Sequence, residues 1–178
     1  MIIHLDVDPK KCSYSFLYEV ALFNQDPAVL AEIYKTIENF KLKPSYCWDA
    51  ANLAPDGVYD ALTENKNTPH DVLAEIAKSD DECLRSGVLE YSRFDDIIES
   101  LLDDEYTIVL LSALKNRHLK RKHYKKLFNR FINHEIDFDI PENVDHTTMV
   151  DFANKLSKHR FATMTEIIVL GKWLAKNT

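Results

Sequence analysis

The sequence predicts an all-α protein made of stacked helix pairs, a short α-solenoid. Glycine is scarce, at 3 residues, and proline modest, at 6, in a chain of 178. That disfavours a turn-rich β-sandwich and suits helices joined by short connections. Apolar residues recur at helical spacing along most of the chain. Residues 65–116 also overlay on themselves with a shift of 25: Val72, Leu73, Ile76 and Ala77 fall on Ile97, Ile98, Leu101 and Leu102, and Leu84, Val88 and Leu89 on Val109, Ala113 and Leu114. Each unit reads as helix, polar turn, helix. A unit that small cannot bury its own apolar face and must stack on neighbours.

Met1–Asp8 alternates weakly, as a short strand or extended arm would. Ser13 is placed to cap a helix whose buried face is Phe16, Leu17, Val20 and Phe23. Asp26 caps the next, with Pro27 in the first turn, where a missing N–H costs nothing. Val29, Leu30, Ile33, Ile37 and Phe40 form its stripe. Its VLAEI at 29–33 recurs at 72–76, each copy following a first-turn proline. Short helices are expected around Trp48 and after Pro55. Thr68 is a suitable N-cap, Pro69 takes the first helical position, and Asp71 can close a capping box and favours the positive end of the helix dipole.

The unit N-x-N-T-P-x-x-V-L-x-x-I-A, carried by Asn65, Asn67, Thr68, Pro69, Val72, Leu73, Ile76 and Ala77, resembles the variant leucine-rich repeat, a helical relative of the HEAT-like solenoids. Asp80, Arg85 and Val88 continue the pattern. Phe94–Asn116 matches less well, lacking the Thr-Pro start, and the likeness covers about half the chain. It implies a short HEAT-like α-solenoid, curved and used to bind other macromolecules. Some HEAT-like relatives are DNA glycosylases. The iron–sulphur domain that accompanies some variant repeats needs a cysteine cluster, which is absent, so no cofactor is expected.

Glu105–Asn116 is apolar almost all round and belongs at the centre of the stack. The helix after Leu119 is amphipathic, with Tyr124, Leu127, Phe128 and Phe131 on one face and Arg121, Lys122, Lys125 and Arg130 largely on the other. An acidic loop surrounds Pro141. Two helices follow, near 147–158 and 164–176. Met149, Phe152, Ala153 and Leu156 bury the first; Thr163 and Glu166 cap the second, which buries Ile167, Leu170 and Leu174. We read one domain, 1–178, with N-terminal helices (1–64), core repeats with the basic helix (65–134) and C-terminal capping helices (135–178).

Net charge is −7, unevenly spread. Residues 115–130 hold eight Lys or Arg and no acid, and the rest of the chain balances at −15, from 14 basic and 29 acidic residues. Residues 54–105 hold fifteen acids against four bases. Arg117, Lys120, Arg121, Lys122, Lys125, Lys126 and Arg130 are therefore the candidate binding residues, for an acidic protein face or for nucleic acid. The bland reading is a solvated face balancing acids such as Asp103–Glu105.

Other clusters point to chemistry weakly. His4, Asp6 and Asp8 would share one face of a strand and could hold a metal, but short alternations often arise by chance and a polar edge is the expected reading. His134–His146 is rich in ligand types, but its spacing fits neither an EF-hand nor a helical zinc-protease motif, so no metal is expected. His70-Asp71 resembles the doublet of HD-type phosphohydrolases, yet sits in a first helical turn where Asp is expected for capping. Glycines at 57, 87 and 171 build neither a nucleophile elbow nor a phosphate loop. Cys83, aligned with Ile108, is expected in the core; Trp48 and Trp173 are expected to pack. Three scattered cysteines, no apolar run of membrane length and no basic-then-apolar start suggest a cytoplasmic protein without disulfides or a membrane span. The expected function is non-catalytic binding of a protein partner with an acidic face, as its regulator or inhibitor. The alternatives are nucleic-acid binding through 115–130, glycosylase-like or otherwise, and an HD-type phosphohydrolase.

Overall fold

The structure is a computed structural model and describes residues 14–39, 55–136, 138 and 149–177. These form ten helices and, among the described residues, no strand. They are α1 (Tyr14–Phe23), α2 (Pro27–Asn39), α3 (Pro55–Glu64), α4 (His70–Ile76), α5 (Glu82–Tyr91), α6 (Asp95–Leu101), α7 (Thr107–Ala113), α8 (Arg121–Ile132), α9 (Met149–Lys158) and α10 (Met164–Asn177). The all-α expectation therefore holds. Readings at Met1–Asp8, Ser13, Trp48 and most of the acidic loop lie outside the described residues.

The chain divides into two compact units, 1–76 and 77–178, with the boundary inside the first copy of the overlay. In the first unit α1 packs chiefly on α3, and α2 and α4 also pack on α3. Asp26 caps α2 as expected, its Oδ1 accepting from Ala28 N–H at 2.9 Å. Leu30, Ile33 and Ile37 are buried along α2, and Val72, Leu73 and Ile76 along α4. The two VLAEI copies thus bury the same Leu and Ile positions. On α1 the expectation fails in part: Leu17 and Ala21 are buried, whereas Phe23 is 70% exposed and Phe16 is exposed too. Residues four apart form the buried row, and the small Ala21 marks it rather than the larger aromatics.

In the second unit α5 packs on α7, α6 on both, and α9 on α10. Leu84 and Val109, equivalent in the overlay, are both buried. Almost all of α7 is buried, Thr107 and Ser112 included, so it is enclosed as its composition requires. Cys83 is exposed, against expectation. It lies in the first turn of α5, where its N–H donates to the Asp81 cap at 2.8 Å while Leu84 and Val88 turn inward. The Thr163–Glu166 box forms in both directions, at 2.8 and 3.3 Å. Along α9 and α10 Phe152, Ala153, Leu156 and Leu170 are buried, but Met149 and Ile167 are exposed. Trp173 packs edge-on against Phe131 at 4.9 Å.

One device occurs in both units. Asn65, just after α3, donates through Nδ2 to Ala21 O at 2.7 Å and Asn24 O at 2.8 Å, at the end of α1. Asn116, just after α7, donates to Leu89 O at 2.7 Å and Ser92 O at 2.8 Å, at the end of α5. Each Oδ1 accepts from the backbone two residues on, Asn67 at 2.8 Å and His118 at 2.6 Å. Each asparagine thus clamps the C-terminal ends of two packed helices together, satisfying carbonyls that a helix end leaves free.

Candidate functional site

The seven predicted binding residues lie on α8 and the turn before it, and the structure places most of their charges against acids of the same unit. Asp95, Glu99 and Asp103 are spaced by four and meet the lysines of α8. Lys122 lies 2.7 Å from Asp95 and 3.4 Å from Glu99. Lys126 lies 3.4 Å from Glu99 and 2.8 Å from Asp103. Lys120 reaches Asp95 at 2.9 Å. Hydrogen bonds from Lys122 and Lys120 hold the Asp95 carboxyl down at about 2. Arg130 donates to Leu102 O and, at 3.3 Å, to Asp104 O, so it caps the end of α6 instead of projecting into solvent.

Arg121 pairs with Glu166 of α10 at 2.6 Å and lies over the Tyr124 ring at 5.1 Å. Burial pushes the Glu166 carboxyl up, but Arg121 and Thr163 together outweigh it and hold the group below its ordinary range. Lys125 is exposed and has no acidic partner among the described residues. Arg117 is exposed, with Nε donating to His118 Nε2 at 3.2 Å. Among the seven predicted cations, then, Lys120, Arg121, Lys122 and Lys126 meet acidic side chains, Arg130 is held by backbone carbonyls, and Lys125 and Arg117 have neither.

A histidine lies under this ladder. His123 is buried; its Nδ1 accepts from Lys120 N–H at 3.2 Å, which leaves the proton of the neutral ring on Nε2. Asp95 and Glu99 stand 3.2 and 3.4 Å from that nitrogen. Burial lowers the pKa of His123 and outweighs the pull of these acids.

A second group of cations gathers elsewhere. Lys115 and Arg117, beyond α7, and Lys155, Lys158 and Arg160, at the end of α9, surround a concavity of about 500 Å³. Its lining contains no acid; Leu111, Leu114 and His159 complete its walls with Asn116. Arg160 fixes the rim, donating to Arg117 O at 2.8 Å and Leu119 O at 3.2 Å. Asn116 fixes the other side through its clamp on α5. Lys115 pairs with Glu90 at 3.1 Å, an exposed contact. Lys155 and Lys158 are exposed and have no acidic partner among the described residues. The His159 ring stacks on Tyr124 at 5.2 Å, and burial, then Arg160, lowers its pKa. Sequence reading missed Lys155, Lys158 and Arg160, whose signal was three cations within six residues at a helix end.

The remaining candidates stay apart. His70 and Asp71 are both exposed in the first turn of α4. No group of three or more His, Cys, Asp or Glu that would hold a metal ion occurs among the described residues. No helix of the described residues is long and apolar enough to cross a membrane. No protein-family model, no curated protein and no solved structure matches this chain.

Proposed function

We propose that this chain is a non-catalytic protein-binding module of the short HEAT-like solenoid type, regulating or inhibiting a partner through an acidic face on that partner. The observation that carries the reading is the division of the basic residues. Lys120, Lys122 and Lys126 are matched by an acidic stripe, whereas the concavity ringed by Lys115, Arg117, Lys155, Lys158 and Arg160 has no acid in its lining. Of these five, among the described residues, Lys115 alone pairs with an acid, Glu90, at an exposed contact. Arg117, Lys155 and Lys158 have no acidic partner among the described residues, and exposed charges contribute little to folding, so their gathering around a shaped depression is best explained by a ligand. The paired asparagine clamps support the repeat architecture, since two helix pairs end in the same side-chain device.

The nucleic-acid alternative draws on the same cations. It is weakened because α8, the helix expected to track phosphates, has most of its charge neutralised within the chain. Affinity capture followed by reconstitution with the purified captured protein tests the proposal. Binding in purified form that falls on reversing Lys115 and Arg117 to Glu supports it. Retention of nucleic acid with a log-linear salt dependence, or a phosphatase activity abolished by His70→Ala, overturns it.

A further inference from the structure

We infer that the concavity between the end of α7 and the end of α9 is a docking groove for an acidic peptide segment with one apolar anchor. This rests on the protein-binding reading and specifies where and what the module binds. Charge complementarity selects the occupant. Five cations stand around the groove and no acid lines it, within a chain whose net charge is −7. The local field therefore opposes that of the whole protein and favours an anionic ligand.

The walls select a peptide over a bare anion. Leu111 and Leu114 give the depression an aliphatic side, and about 500 Å³ is far more room than one phosphate or carboxylate fills. An aliphatic side chain seated on the leucines, with carboxylates on either side, satisfies both the walls and the rim. The groove is less suited to a nucleobase, which is usually held on an open aromatic face. The one ring in the lining, His159, is stacked on Tyr124 at 5.2 Å, with Phe161 on hand at 5.4 Å. The rim is also pre-formed, because Arg160 and Asn116 hold the connecting backbone from both sides. Little ordering is then required when a ligand enters.

The test is a nuclear magnetic resonance titration of the full chain with the acetylated pentapeptide Glu-Glu-Leu-Glu-Glu. Its Leu-to-Ser counterpart and a thymidine oligonucleotide serve as comparison probes. The expected result is a shift of the Leu111 and Leu114 methyl resonances by the leucine peptide, with affinity at least about fivefold weaker for the serine peptide. The double variant Lys155→Glu/Lys158→Glu should weaken the peptide by about tenfold, and Lys125→Glu by less than about twofold. Both sets of side chains are exposed, and unchanged melting temperatures confirm that the fold is kept. Tighter binding of the oligonucleotide at the same methyls overturns the inference, as does the absence of any shift there. If the groove fails while reconstitution with a captured partner succeeds, the protein-binding reading stands and its contact face lies elsewhere; if both fail, both fall.

Discussion

Replacing Asn116 tests the clamp that holds α7 to α5. The residue is 2% exposed and makes three hydrogen bonds, two donated to Leu89 O and Ser92 O and one accepted from His118 N–H. Asn116→Ala removes all three. The His118 N–H is next to exposed positions and regains water, but both carbonyl contacts are buried. A buried polar group left without its partner costs roughly 1–3 kcal/mol, and carbonyls lie at the low end because a second lone pair can remain satisfied. The expected loss is about 2–4 kcal/mol in urea unfolding, with the denaturant slope unchanged. Asn116→Asp has nearly the same shape but places a carboxylate against two carbonyl oxygens in a buried site. It should cost more than Ala at neutral pH, and part of the excess should vanish as pH falls towards 4, where the protonated carboxyl regains a donor. An Ala variant losing under about 1 kcal/mol, or an Asp variant milder than Ala, would refute the clamp.

Charge reversal along α8 should separate residues that look alike in sequence: Lys125→Glu should change stability by less than about 0.5 kcal/mol, whereas Arg130→Glu should cost about 1.5–3 kcal/mol by uncapping α6, both read from thermal or urea unfolding. Asp104→Ala should cost about 3 kcal/mol, since it takes the carboxylate from the largely buried Arg85, now bound at 2.7 and 3.2 Å and left with the Ser79 and Asp80 carbonyls alone, and removes the acceptor for Tyr106 N–H; a loss below about 1 kcal/mol would contradict the pair's role. His123 and His159 have folded pKa values pushed below the ordinary 6.5 by burial, so the unfolded chain takes up protons first, and stability should decline as pH drops below about 6.5; His159→Gln should flatten that slope. Asp95 acts in a lower window: its carboxyl, held at about 2, contributes at pH above about 4 and is lost as pH falls through about 2, so Asp95→Asn should reduce acid sensitivity there.

The fold class was legible because periodicity and capping are local. The α2 stripe, the Asp26 cap and the Thr163–Glu166 box depend on residues a few positions apart, and each forms. Faces were less legible where size and burial disagree. Phe16, Phe23 and Ile167 are large, apolar and exposed, while Ala21 is small and fully buried, because the partner helix sets the face and hydrophobicity alone does not. Asn65 was recognised as part of a repeat motif, but its equivalence to Asn116 was not, since the shift of 25 aligns neither residue with the other. The physical clue was that each asparagine stands five positions before the next helix begins, at His70 and at Arg121.

The candidate site was the least legible part, and electrostatics explains why. A run of charge along a sequence measures density, whereas availability depends on what lies across space. The lysines Lys122 and Lys126 and the acids Asp95, Glu99 and Asp103 are each spaced by four residues, so α6 with the turn after it and α8 present facing rows, and the densest basic run in the chain is largely neutralised. Such pairs add little individually, but they fix which cations are left over. Those that line the groove, Arg117, Lys155 and Lys158, come from two sequence-distant segments and meet because α7 and α9 end near each other, while Lys125 stays on the face of α8. Acidic α6 therefore has a consequence beyond its own stability. By occupying the face of α8, it leaves the α7–α9 groove, among the described residues, as a place where a cationic rim and an apolar wall coincide.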